Sequence, residues 1–156
     1  MRLRILAVGR LKSGPEAELI ADYLRRLEMA GRSVGLGPVE VTEIDERKAS
    51  DKNGEGQLLL KAIPDGAIVI ALDERGKLLT SPELSKNICQ KRDDGTRELV
   101  FVIGGADGLS SEVLARADQS LSLGKMVWPH MLARVMLSEQ LYRAVTIAAG
   151  SPYHRE

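Results

Sequence analysis

Two rhythms of apolar and polar residues alternate along this chain. Short, nearly unbroken apolar runs with polar or glycine borders predict buried strands over residues 2–8, 67–72 and 98–103, and two further short stretches read as strands over 39–44 and 119–123. Between them, apolar residues recur every three or four positions. This predicts helices over residues 15–29, 55–63 and 82–91, a short helix to about 117, and a long one over 132–148. Punctuation agrees with this division. Gly9 ends the first strand, Pro15 opens the first helix, and Pro64-Asp65-Gly66 and Asp93-Asp94-Gly95 are turns. Ser81 is expected to cap the third helix with Pro82 at its first position, and Ser110 or Ser111 to cap the fourth.

Five alternations of strand and helix predict an α/β fold: a mostly parallel sheet with helices on both faces, in a single domain spanning 1–156. The last helix is apolar over more than one face, from Leu132, Val135 and Met136 to Val145 and Ile147. Such a helix is expected to be buried on both sides, by the sheet and by a second copy of the chain, giving a homodimer.

The candidate chemistry lies at the carboxyl ends of the predicted strands, where open α/β sheets bind ligands. The strand ending at Leu72 runs into a polar loop, 72–76. The next useful one stops at Gly104-Gly105, with Gly108 following. The fifth leads into 124–129 and Trp128-Pro129-His130. Together these loops are either the walls of one small-molecule slot or ordinary strand-to-helix turns; the pattern alone leaves both open. Gly104-Gly105-Ala106-Asp107-Gly108 has neither the dinucleotide-binding spacing nor the Gly-Lys-Ser/Thr of a phosphate loop. No Gly-x-Ser-x-Gly elbow occurs, and the two histidines are separated by the last helix, a poor arrangement for a metal. A slot without a strong phosphate grip suits an adenosine-bearing cofactor held by backbone groups.

Composition narrows the class. The 156 residues carry 22 basic and 22 acidic side chains, so the strong positive charge of a non-specific nucleic-acid binder is missing. Lys125, His130, Arg134, Arg143, His154 and Arg155 are nonetheless concentrated in the last third, as a local basic patch or as scattered solvated charge. Aromatics are only 3%, so aliphatic residues must fill the core. The single cysteine, Cys89, excludes an internal disulfide and is expected as a small packed residue. No leader-like or membrane-spanning run is read in the sequence, and a cytoplasmic location is expected.

Three stretches then carry a resemblance: IGGADGLS, SLSLGKMVWPHMLARVMLSEQLYRA, and the terminal PYHR. They are similar to the RlmH family, SPOUT-class methyltransferases acting on N3 of a pseudouridine in large-subunit (23S) ribosomal RNA. The strong match covers about residues 72–156. The resemblance implies an S-adenosyl-L-methionine-dependent homodimer acting on ribosomal RNA within the assembled ribosome, and a C-terminal trefoil knot. For the cofactor it implies Leu72, Gly105 and Gly124, Lys125, Met126, Val127, Trp128 and Pro129. Val127 stands where family members often have Thr, and Gln57 where Glu is common. A non-catalytic α/β nucleotide-binding or ribosome-assembly module is the alternative.

Methylation of an imide nitrogen requires that nitrogen to lose its proton. In the tail, His154 is the expected general base, Arg155 the phosphate contact and Tyr153 a stacking surface. His130 is expected to cap or pack the last helix, Arg134 to face RNA or a dimer partner, and Asp107 to serve a turn. One active site is expected to draw its slot from one chain and its tail from the other.

Overall fold

The computed structural model describes residues 1–155. Five strands form one sheet: β1 (Arg2–Val8), β2 (Val39–Ile44), β3 (Ile68–Leu78), β4 (Glu98–Ile103) and β5 (Gln119–Ser122). All pairings are parallel, and the strand order is β2-β1-β4-β3-β5. The helices are α1 (Pro15–Gly31), α2 (Lys52–Ala62), α3 (Ser81–Asp93), α4 (Ser111–Arg116) and α5 (His130–Ala148).

The continuous apolar runs of β1 and β4 follow from burial on both faces. Side chains alternate across the sheet with period two. Leu3, Ile5, Phe101 and Ile103 join Leu27 of α1, Ile88 of α3 and Leu137 and Leu141 of α5 in one core. Leu6, Val8, Val100 and Val102 join Leu59 of α2 and Val113 of α4 in the other. The result is a three-layer sandwich, with α1, α3 and α5 on one face and α2 and α4 on the other.

Three sequence expectations are corrected. β3 does not stop at residue 72. Leu121 of β5 pairs with both Leu72 and Lys77, so residues 73–76 bulge from a strand that then resumes. Thr80, not Ser81, caps α3: its hydroxyl accepts from the Glu83 amide while the Glu83 carboxylate accepts from the Thr80 amide, a reciprocal pair that places Pro82 second in the helix. Besides the sheet, α1 and α3 cover part of the apolar girth of α5 within the chain, through Leu137, Leu141, Ala144 and Val145. What remains uncovered is concentrated at its first turns: Leu132, with Met126, Val127 and Trp128 of the preceding loop, is exposed.

Gly56 shows why α2 can lie so close to α4. A methyl group there would stand inside contact distance of the Ser110 hydroxyl, which itself caps α4. Gly56→Ala is therefore expected to destabilise the fold by about 1–3 kcal/mol, read as a shift in the urea midpoint. An unshifted midpoint would mean that α2 and α4 separate freely.

Candidate active site

The bulge that interrupts β3 after Leu72 and the carboxyl ends of β4 and β5 converge on one cleft of about 360 Å³, within the range of small-molecule sites. Leu72, Asp73 and Arg75 form one wall, Ile103 to Leu109 the second, and Leu121 to Gly124 with Met126, Val127 and Trp128 the third. His130 and Ala133 of α5 and Lys52 of α2 complete it.

Local chemistry shapes each wall. The bulge in β3 turns on Asp73, whose carboxylate accepts from the Arg75 amide at 2.8 Å and pairs with its guanidinium. That pairing holds the Asp73 carboxyl below its ordinary range. The loop after β4 closes on itself through Gly108 N–H donating to Gly105 C=O at 3.0 Å. A side chain at Gly104 would lie 2.6 Å from the backbone of Gly108, so only glycine allows this fold-back. After β5, the Ser122 hydroxyl donates to Gly124 C=O at 2.9 Å, and the indole nitrogen of Trp128 lies over Gly124.

Of the residues that the resemblance implies for the cofactor, Leu72, Gly105, Gly124, Met126, Val127 and Trp128 line this cleft. Lys125 and Pro129 stand exposed on the same loop without lining it. His130 is the first residue of α5 and faces the cleft and Gly9. Sequence reasoning missed Glu55. Its carboxylate lies against Gly105, 3.0 Å from where a Cβ would stand. Burial raises its pKa, and the negative charges of Asp107, Glu46 and Asp51 raise it further.

Arg134 departs from expectation. It faces neither RNA nor a partner: the side chain is 1% exposed. Its guanidinium pairs with Glu43 at 2.6 Å and donates to the carbonyls of Val8 and Gly9 at 3.3 and 2.9 Å. It thus ties the first turns of α5 to the ends of β1 and β2.

The tail lies elsewhere. After Gly150 the chain reverses and packs back along α5. Tyr153 packs against Tyr142 with ring centroids 4.6 Å apart and planes tilted by 55°, and its hydroxyl donates to Glu139 at 3.0 Å. Burial and that carboxylate push the phenol up to about 12. Glu139 also receives Nε and Nη2 of Arg143, at 3.0 and 2.6 Å, and the Arg143 guanidinium lies over the Tyr153 ring. Arg143 Nη1 reaches His154 Nδ1 at 3.3 Å. His154 Nε2 is buried without a partner among the described residues, which costs about 1–3 kcal/mol for an unmet polar group. Arg155 is exposed.

None of Tyr153, His154 and Arg155 lines the cleft. His130 at the cleft and Arg143 at the tail stand 13 positions apart on α5, about 20 Å along a helix axis. Within one chain, slot and tail are not brought together. Glu139, which anchors the tail, was not singled out from the sequence. Its i,i+4 spacing to Arg143 was the only available signal.

Comparison with known proteins agrees with this geometry. A family model described as "Predicted SPOUT methyltransferase" matches residues 1–154. Proteins named "Ribosomal RNA large subunit methyltransferase H" are similar over nearly the whole chain. The one from Roseobacter denitrificans is 56% identical over 155 residues, covering 99% of each chain. That from Paracoccus denitrificans is 54% identical over 156 residues, covering all of both. Among solved structures, a probable methylase family protein from Haemophilus influenzae Rd KW20 superposes with a TM-score of 0.53 at 16% identity, covering 99% of this chain and 70% of its own. That likeness supports the fold alone. With its parallel sheet, three converging loops and a family match over residues 1–154, the chain belongs to the SPOUT methyltransferase family.

Proposed function

We propose that the protein transfers a methyl group from S-adenosyl-L-methionine to N3 of a pseudouridine in large-subunit ribosomal RNA. The observation that carries this reading is the convergence of Leu72, Gly105 and the 124–129 loop on one cleft in a SPOUT-family chain. The names of the 54–56% identical relatives supply the RNA class.

The cleft fits the proposed donor. Apolar side chains from Leu72, Ile103, Leu121 and Trp128 offer walls for an adenine ring, and the glycine loop offers open backbone groups for the sugar and amino-acid portion. No phosphate loop is present in the sequence, and the donor carries no phosphate. When bound, the donor supplies a methyl group already activated on a positive sulfur, so positioning is the protein's main task.

Two copies related by a twofold axis with α5 antiparallel would bring the tail of one beside the cleft of the other. The exposed Met126, Val127, Trp128 and Leu132 at that end of α5 are the apolar surface such pairing would cover. Tyr153, His154 and Arg155 of the partner copy then face the bound base, with Arg155 free to meet a phosphate. The C-terminal knot and the use of assembled ribosomes belong to the same reading, on the strength of the family resemblance. Among the described residues no helix is long and apolar enough to cross a membrane.

The direct test is calorimetry with S-adenosyl-L-methionine, followed by tritiated-methyl transfer to ribosomes and to naked RNA. Absence of binding at millimolar cofactor would overturn the enzyme reading. His154→Ala is expected to slow methyl transfer by about 10²-fold or more while leaving cofactor affinity nearly unchanged. Wild-type turnover in that variant would remove His154 from the reaction.

A further inference from the structure

We propose that Arg143 and Glu139 fix the proton of His154 on Nε2, so that the tail serves the methylated base as a hydrogen-bond donor and does not remove its N3 proton. This rests on the reading that the base is methylated at an imide nitrogen.

The argument begins with Arg143. A guanidinium has donors only and stays charged. Its Nη1 lies 3.3 Å from His154 Nδ1, so that nitrogen must be the acceptor. A neutral imidazole has one N–H, and with Nδ1 accepting, the proton stands on Nε2. The guanidinium is itself held. Glu139 Oε1 receives both its Nε and its Nη2, and the same oxygen takes the Tyr153 hydroxyl. The ring of Tyr153 lies beneath the guanidinium, with Arg143 Cζ 4.8 Å from its centroid. Arg143 is thus held by a carboxylate at its edge and an aromatic ring beneath it.

Nε2 is the atom left without a partner. Nε2–H is covered in the single chain and unmatched among the described residues, so it meets an acceptor from outside when the tail shifts against the partner copy and the bound base. The other tail groups point the same way. The Tyr153 phenol holds its proton against Glu139, and Arg155 carries only donors. Among these three residues no ready acceptor for a proton is present.

An imide nitrogen flanked by carbonyl groups can use such an array. When N3–H breaks, its proton passes to solvent water and the electron pair left behind spreads onto the neighbouring carbonyl oxygens. The Nε2–H of His154 donates to one of those oxygens and stabilises the charge while N3 bonds to the methyl carbon and the bond from that carbon to the sulfonium sulfur breaks, its electron pair leaving on sulfur as a neutral thioether. This is the logic of an oxyanion hole, where fixed donors meet charge that develops during reaction. His154 is then the catalytic residue. Arg143 and Glu139 are positioning residues that act through its tautomer.

The test has two arms. Long-range ¹⁵N–¹H correlation on protein labelled in its two histidines reads the tautomer directly, with His154→Gln assigning the signals. The expected result is the Nε2–H form in the native dimer, lost in Arg143→Met. An Nδ1–H form in the native protein overturns the proposal, whether or not any RNA is methylated. In the second arm, His154→Gln retains a side-chain N–H donor and is expected to keep at least a tenth of native turnover, whereas His154→Ala loses about 10²–10³-fold. A glutamine variant as slow as the alanine one, with cofactor affinity intact, would return His154 to the role of base. Failure of methyl transfer in the native protein would instead count against the proposed function and leave the tautomer result standing.

Discussion

A mixture of Gly105→Trp and His154→Ala chains is expected to methylate RNA although neither chain does so alone. Gly105 borders the cleft, and the atoms nearest a side chain there are the Glu55 carboxylate at 3.0 and 3.2 Å and Val8 Cγ1 at 3.2 Å. The carboxylate is the flexible end of its side chain and can move aside. The indole then takes the space meant for the donor, while the distant tail network of Glu139, Arg143 and Tyr153 is untouched. His154→Ala leaves the cleft intact and removes only the tail donor. About 20 Å of helix separates tail from cleft in one chain, so in the proposed dimer the partner supplies the missing half. In a random mixture half of the dimers are mixed, and each has one complete site from two, so about a quarter of native turnover is expected. Subunit exchange is checked by mass tagging. Proven exchange without activity, or an active monomer by sedimentation, would show that each chain carries a complete site.

Much of the architecture was legible in the sequence because it depends on short-range pattern. The strands β1 and β4 stand where their apolar runs end, since a parallel strand buried on both faces needs an unbroken run, while the edge strand β2 follows the alternation of Val39, Val41 and Ile44 with polar residues. The cleft was legible for the same reason. The apolar runs stop at Leu72, Ile103 and Leu123, and these stops mark the cleft even though β3 resumes after its bulge. What escaped detection depends on register and long-range pairing. The bulge at 73–76 is visible only once Leu121 is seen to pair twice. The contact of Glu55 with Gly105 joins residues 50 positions apart. The anchoring of the tail by Glu139 requires the reversal after Gly150, which a terminal Pro-Tyr-His-Arg does not announce. The apolar girth of α5 was read correctly as buried. Its cover was assigned to the sheet and a second copy, and the share supplied by α1 and α3 was not seen, because a helix's own periodicity cannot say which helices flank it.

Arg134 is where that limit has the largest energetic consequence, and Arg134→Met is expected to destabilise the fold by about 3–5 kcal/mol. From its spacing, one turn past His130, it reads as a surface cation. In the fold it is the largest fully buried side chain, and its three bonds, to Glu43 and to the carbonyls of Val8 and Gly9, all reach residues at least 91 positions away. Methionine fills similar volume but leaves those two carbonyls without their donor in a dry site. Glu43 is less affected, because it is 29% exposed and also accepts from the Leu11 amide, so the lower half of the range is the more apt. Lysine should not rescue, since a single ammonium cannot reach a carboxylate and two carbonyls with the geometry of a guanidinium fork. The effect also extends to the cleft. Arg134 fixes the turn that follows the 124–129 loop, so loosening it should weaken donor binding by about tenfold, equivalent to about 1.4 kcal/mol. Urea unfolding measures the first quantity and calorimetry the second. A variant within about 0.5 kcal/mol of native stability, the ordinary range for surface substitutions, would mean that the α5 turn is held by its apolar contacts alone.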